Sequence, residues 1–362
     1  MTRPLLVMVA AAALAFVAGQ LAWFPTAPHA PLDSQLGGLA IYVLSAGAFL
    51  LTAHQFEDLR WLARLTWAFL ALGALFIAGW LLPGVDRLTR PLFQFGATAN
   101  AMLWLWIVTL ALSQALFNEK LARPARAALL GLTLATLFVA FVINGEWKSG
   151  YLPAFVAVGV LVALRSPKAA LLMALVGPVL ALYISSQAIA SDEYSYSTRL
   201  DAWIIVLNMV RESPILGFGP ANYYWYTPLF PIRGYAVQFN SHNQYIDIVA
   251  QTGLVGLAAF LWFMGSVALV AWRLRWRAPL GFGRAYIHGA LAGVAGMLAA
   301  GVLVDWILPF VYNIGLNGYR GSMLGWLFLG GVMSIERMVQ RQAAATAGTG
   351  GETARIDRTK ER

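Results

Sequence analysis

The sequence predicts an all-α, polytopic membrane protein, and three observations predict it. Of its residues 60% are hydrophobic and 11% charged, against about 45–50% and about 25% in an ordinary soluble domain. Apolar runs of about 20 residues, the length that crosses a hydrocarbon core as a helix, recur along the chain. Between two of these runs lies one long polar interruption, residues 191–250, holding arginines, amides and a dense group of aromatics. The chain has no cysteine, which excludes disulfides and thiolate metal sites, so that interruption must be ordered by docking onto the helices.

About ten spans are expected, at 5–24, 36–53, 66–83, 93–117, 127–144, 151–165, 169–190, 252–271, 286–308 and 322–339. In the first, Arg3 precedes an apolar run with small residues, as in a cleaved leader. The run is long for one, and a retained helix is expected. Basic groups separate alternate spans: Arg60 and Arg64, then Lys120, Arg123 and Arg126, then Arg165 and Lys168, then Arg273, Arg275, Arg277 and Arg284. With Arg3 and the six basic residues of the C-terminal end they make eighteen on one side. Seven lie opposite: Arg87, Arg90, Lys148, Arg199, Arg211, Arg233 and Arg320. The positive-inside rule then puts both termini in the cytoplasm and the large loop between spans seven and eight outside. The net charge of +9 is thereby a topology signal and not a nucleic-acid one. Residues 1–340 read as one integral membrane domain. The small, polar stretch 341–362 has no apolar face and reads as a disordered cytoplasmic tail.

Within the loop, Ser197 is an expected N-cap. Leu200, Trp203, Ile204, Leu207 and Val210 follow at helical spacing, making an amphipathic helix that ends at Glu212-Ser213-Pro214. Arg199 sits at the edge of its stripe. The turn Leu216-Gly217-Phe218-Gly219-Pro220 leads to Tyr223, Tyr224, Trp225 and Tyr226, a density that suits an interfacial belt or stacking against sugar rings. Ser241 and Gln244 form a capping-box pattern, placing His242 and Asn243 in the first turn of a second helix. Backbone N–H groups there would favour an anion, and the positive helix end would keep His242 neutral.

His242-Asn243, nine residues, Gly253, two residues and Gly256 resemble the H-[NSQ]-x9-G-x-x-[GTY] pattern of the O-antigen ligase and O-antigen polymerase family. The Arg199-x-x-x-Trp203 helix and the Pro214…Gly217-Phe218-Gly219-Pro220 turn are similar to that family's as well. Lys148-Ser149-Gly150 stands where it often carries Ser-Arg-Gly, with lysine in place of arginine and the order changed. The resemblance covers about residues 125–265.

The resemblance implies transfer of a glycan from an undecaprenyl-diphosphate carrier to an acceptor hydroxyl, on the periplasmic face of a bacterial inner membrane. The acceptor would be a glycan, lipid A–core or protein. The expected site residues are His242 as general base and Arg199 on the diphosphate, with Asn243, Lys148, Arg233 and Arg320 as further substrate-binding residues. No cofactor and no metal are expected, since the outward carboxylates show no Asp-x-Asp pairing. Asp305, an acid in or near the ninth span, is a site suspect or else a partner for Arg320. A transporter or flippase of lipid-linked oligosaccharide is the alternative; it would place basic and polar residues within the spans, which are nearly free of charge.

Overall fold

The described residues are helical apart from their turns and connectors, and the one non-helical pairing among them is an isolated bridge between Ile232 and Tyr235. The computed structural model describes residues 2–93, 100–144, 148–176, 179, 193–313 and 315–360, and for 148–149 and 346–360 the backbone alone. In chain order the helices are α1 (Thr2–Ala18), α2 (Leu32–Gln55), α3 (Leu59–Leu81), α4 (Asp86–Leu92), α5 (Ala101–Phe117) and α6 (Arg123–Phe138), which ends in a π turn, Val139–Ile143. They continue with α7 (Lys148–Arg165), α8 (Pro167–Val176), α9 (Glu193–Val210), α10 (Asn222–Tyr226), α11 (Gln244–Leu274), α12 (Phe282–Leu303) and α13 (Gly315–Lys360).

Five are long and apolar enough to cross a membrane: α2, α3, α6 with its π turn, α11 and α12. Helices α1, α5, α7 and α8 are apolar but shorter. The expected seventh span, 169–190, runs past α8 into residues outside the described ones. The expected tenth lies within α13. Helix α13 also continues through Lys360, where composition reads as disordered tail. Its alanines, Ala343, Ala344 and Ala345, are the strongest intrinsic helix formers and need no packing partner to extend a helix already begun.

Helix α5 is the centre of the bundle. It is apolar on all sides, and every residue from Ala101 to Ala115 is buried, as expected of a helix with no solvent face. Helices α12, α7 and α6 pack around it, while α2 pairs with α13 and α1 with α11.

A break in α11 positions everything that follows. Gly253 has φ 66°, a left-handed value inside an otherwise continuous helix. Leu254 N and Val255 N, which would ordinarily donate to the carbonyls of Ala250 and Gln251, donate instead to Pro214 O (2.8 Å) and Ile215 O (3.3 Å). The two released carbonyls accept from Phe218 N (2.9 Å) and Gly219 N (3.0 Å). A Cβ on Gly253 would stand 2.0 Å from Ile215 O, and one on Gly217 would stand 2.7 Å from Ala250 O. Gly253 of the sequence pattern and Gly217 of the turn are thus the two sides of one backbone-to-backbone junction, where the turn 214–219 completes the helix's broken ladder.

Above this junction the loop has a small core of its own. Val206, Met209, Phe218, Tyr223, Tyr226, Ile246, Val249 and Phe310 are buried together, with Trp23 and Phe24 packed against them. Asn222 ties in the segment after α1: its Nδ2 donates to Gly19 O (3.0 Å) and Phe218 O (2.8 Å), and its Oδ1 accepts from Ala30 N (3.0 Å).

Helix α9 buries a different face from the one its spacing suggests. Ser197 lies inside it, not at its cap, and the buried side is Ala202, Val206, Met209 and Val210. Leu200, Ile204 and Leu207, three of the five residues of the expected stripe, are exposed. The helix is apolar on both sides: one packs on the loop core, with Trp203 against it, and the other faces outward as at a lipid boundary.

Candidate active site at the mouth of α11

Helix α11 begins two residues later than the capping-box spacing suggests, and the shift changes what each residue does. Asn243 is the N-cap: its Oδ1 accepts from Tyr245 N (3.0 Å) and Ile246 N (3.2 Å). Those first-turn N–H groups are therefore satisfied by the chain itself and are not offered to an anion. The Nδ2 of Asn243 donates to Val302 O (3.2 Å), near the end of α12. Asn243 is buried in this brace and does not line the cleft.

His242 precedes the cap with φ 48°, a strained value for a non-glycine residue. The left-handed residue turns the chain sharply between Ser241 and Asn243. Ser241 is held on one side by Trp203, whose Nε1 donates to its carbonyl (2.8 Å), and on the other by Asn243 N, which donates to its Oγ (3.1 Å). The imidazole so displayed lines a cleft of about 360 Å³.

Arg199 lines the same cleft. Its Nη1 donates to Leu303 O (3.3 Å), the last carbonyl of α12, which fixes the guanidinium at the junction of loop and bundle. Arg233 and Arg320 do not line the cleft. Arg233 pairs with Asp201 at 2.8 Å and lies over the Tyr194 ring at 4.7 Å, in the neighbouring groove with Ile204 and Ile205. Arg320 is exposed on α13. Lys148 begins α7, and its side chain is outside the described ones. The structure therefore brings together His242 and Arg199 of the expected set.

It adds a carboxylate. Asp305, in the connector after α12, is fully buried with its Oδ1 at 4.0 Å from His242 Nδ1. Asn240 Nδ2 donates to its Oδ2 (2.8 Å) and Asn313 Nδ2 to its Oδ1 (2.7 Å). Gln244 secures the connector: its Oε1 accepts from Ile307 N and Leu308 N (both 2.9 Å), and its Nε2 donates to Leu308 O (3.1 Å). Below lies Asp247, also buried, accepting from Tyr223 Oη and from Ser241 Oγ (2.9 Å).

The electrostatics suit a proton acceptor. Burial, then the Arg199 charge, pull the imidazole of His242 below the ordinary histidine value, while Asp305 pulls the other way. Burial raises Asp305 above the ordinary carboxylate range, and the neighbouring imidazole, the Asn313 amide and hydrogen bonds from its own backbone and Asp247 oppose that. Neutral His242 with Nδ1 turned to Asp305 leaves Nε2 for a ligand in the cleft.

The sequence reading passed over the connector 304–313. Tyr312 and Asn313 from it line the cleft, with Tyr224, Gln238, Phe239, Asn240 and Thr198 from the loop. The available signal was Asp305 itself, an acid in an apolar stretch.

Residues 121–261 match the family model described as O-antigen ligase. That range holds Lys148, Arg199, Arg233, His242, Asn243 and both glycines of the junction, while Asp305, Tyr312, Asn313 and Arg320 lie beyond it. Among solved structures, a chain from "Structural coordination of polymerization and crosslinking by a peptidoglycan synthase complex" is 20% identical, with 94% of this chain and 98% of that one covered at a TM-score of 0.48. No curated protein matches the chain.

Proposed function

We propose that this multi-pass membrane protein, with its O-antigen ligase match over residues 121–261, transfers a glycan from an undecaprenyl-diphosphate carrier to an acceptor hydroxyl. The observation that carries the reading is the convergence of His242 and Arg199 on one cleft, with Asp305 buried beside the imidazole. His242 Nε2 takes the proton of the acceptor hydroxyl as its oxygen attacks the anomeric carbon. The bond from that carbon to the diphosphate breaks, and its electron pair leaves on the diphosphate oxygen. Arg199 stabilises the charge that develops there, and Asp305 stabilises the imidazolium that forms.

The reading is of a metal-independent reaction, in which the Arg199 guanidinium carries the charge stabilisation of the leaving diphosphate. The acceptor is a glycan, lipid A–core or protein. The cleft faces the periplasm of a bacterial inner membrane, with both termini cytoplasmic, on the distribution of lysine and arginine. Arg233, Arg320 and Lys148 retain a part in substrate binding only through movement of the loop or through longer-range attraction of the anionic carrier.

In a host lacking the chain, glycan-length ladders and free lipid A–core are compared with wild type, His242→Ala and Arg199→Ala restored. Wild type restores product. His242→Ala lowers it by about 10²-fold or more, and Arg199→Ala by a similar factor. Loss of all attached glycan marks a ligase, and single-repeat products mark a polymerase. Unchanged ladders with both variants would sink the transferase reading.

A further inference from the structure

Besides Arg199 and His242, the cleft carries groups that suit a neutral, hydroxyl-rich ring. Tyr224 and Tyr312, each half-buried, stack with centroids 4.6 Å apart and planes at 19°. Trp225 Nε1 donates to Tyr312 Oη (2.7 Å) and fixes that ring in place. Both tyrosines line the cleft. So do Asn240 and Asn313, whose amide nitrogens are both committed to the buried Asp305 carboxylate. An amide held by its nitrogen turns its carbonyl oxygen the other way, so each offers an oriented acceptor. Fixed acceptors beside an aromatic face select a ligand with hydroxyl donors on its edge and C–H groups on its face.

We infer that the Tyr224–Tyr312 stack, with the amide oxygens of Asn240 and Asn313, is a subsite for a pyranose ring next to the reacting centre. The inference rests on the transferase reading and deepens it. It assigns the aromatic wall to the sugar and the Arg199 wall to the diphosphate. The volume of about 360 Å³ lies at the small end of ligand pockets, enough for a short glycan end and not for a folded chain. The ring belongs either to the donor or to the acceptor, and the wall's chemistry is the same for both.

The test uses the full chain in nanodiscs and, as probe, the lipid-free oligosaccharide released by mild acid from the host's lipid-linked glycan pool. Binding is read by tryptophan emission, with Trp225→Phe as the reference for the local reporter. Wild type and His242→Ala should bind alike, since binding needs no turnover. Tyr312→Leu and Tyr224→Leu should each weaken binding by roughly tenfold, the size of one lost aromatic contact. Tyr312→Phe keeps the ring and should retain binding, which separates a lost platform from a collapsed loop. Arg199→Ala should leave binding of this phosphate-free probe unchanged.

In transfer assays the leucine variants should raise KM and largely spare kcat, for the donor if the ring is the donor's and for the acceptor if it is the acceptor's. Leucine variants that bind as wild type, or a Tyr312→Phe variant that fails as badly as Tyr312→Leu, would overturn the subsite. Should the wild-type chain bind glycan through the tyrosines and yet transfer none, the transferase reading falls and the sugar site stands.

Discussion

At the scale of single residues, Asp305 makes His242 more than a lone imidazole. On the proposed mechanism His242 is a base that works only while unprotonated, so the acidic limb of kcat/KM should follow the histidine. Burial and Arg199 hold that limb below the ordinary histidine value, and Asp305 holds it up. Asp305→Asn removes the opposing charge, so the limb should move to lower pH. The plateau should fall by about 10–100-fold, because the imidazolium loses its counter-charge. A pH–rate profile in which the limb moves upward, or does not move, would refute that pairing. Here the sequence was legible in part. His242 and Arg199 could be singled out because basic residues are few on the side that holds the loop and histidine is rare throughout. A capping box and an asparagine cap differ by only two positions in the same string, and the structure takes the second, which keeps Asn243 out of the cleft lining. Tyr312 and Asn313 carry no such signal, since they lie about 70 residues from His242 in sequence and share its cleft only through tertiary folding.

At the scale of elements, the junction between α11 and the turn 214–219 replaces a normal helical ladder with a shared one. Gly253→Ala would force a Cβ against Ile215 O in a left-handed conformation. The expected cost is about 3 kcal/mol or more, from strain and from the hydrogen bonds that the shift would break. A lowered melting temperature in detergent, with the expressed chain still membrane-inserted, would register it. Gly265, with open space around its Cβ position, serves as the control and should tolerate alanine. Hydropathy placed most helices roughly, and the family resemblance and the turn singled out Gly253 and Gly217, but neither gave the reason for the glycines. A hydrogen-bond exchange between distant segments leaves no periodic trace. The face of α9 was also beyond spacing, since a helix apolar on two sides has two solutions and only its neighbours choose between them.

At the scale of the whole molecule, apolar composition was enough to read a helical membrane protein, and it gave the approximate place of most helices. It could not reveal that α5 is enclosed on every side, because a buried helix and a lipid-facing one are equally apolar. At the end of the bundle opposite the cleft, Arg337 and Arg341 reach Glu57, with Arg341 at 2.9 Å, and Arg337 Nη1 donates to Ala53 O (2.9 Å). Exposed pairs of this kind contribute little stability. A chain stopped after Ala345 keeps them both and loses only the polar end, so transfer activity and melting temperature should match the full chain. A large loss of either on that truncation would give the C-terminal stretch a role that its composition does not suggest.

The break at Gly253 bears on how this protein can be rebuilt. Two carbonyls and two amides of α11 find their mates in residues 214–219, so excising the loop would strand four polar groups inside an oily core. The polar segment is therefore no removable insert. A chimera that exchanges acceptor preference with a relative must carry the turn and the first half of α11 across as a single cassette, and its splice points belong beyond Val255.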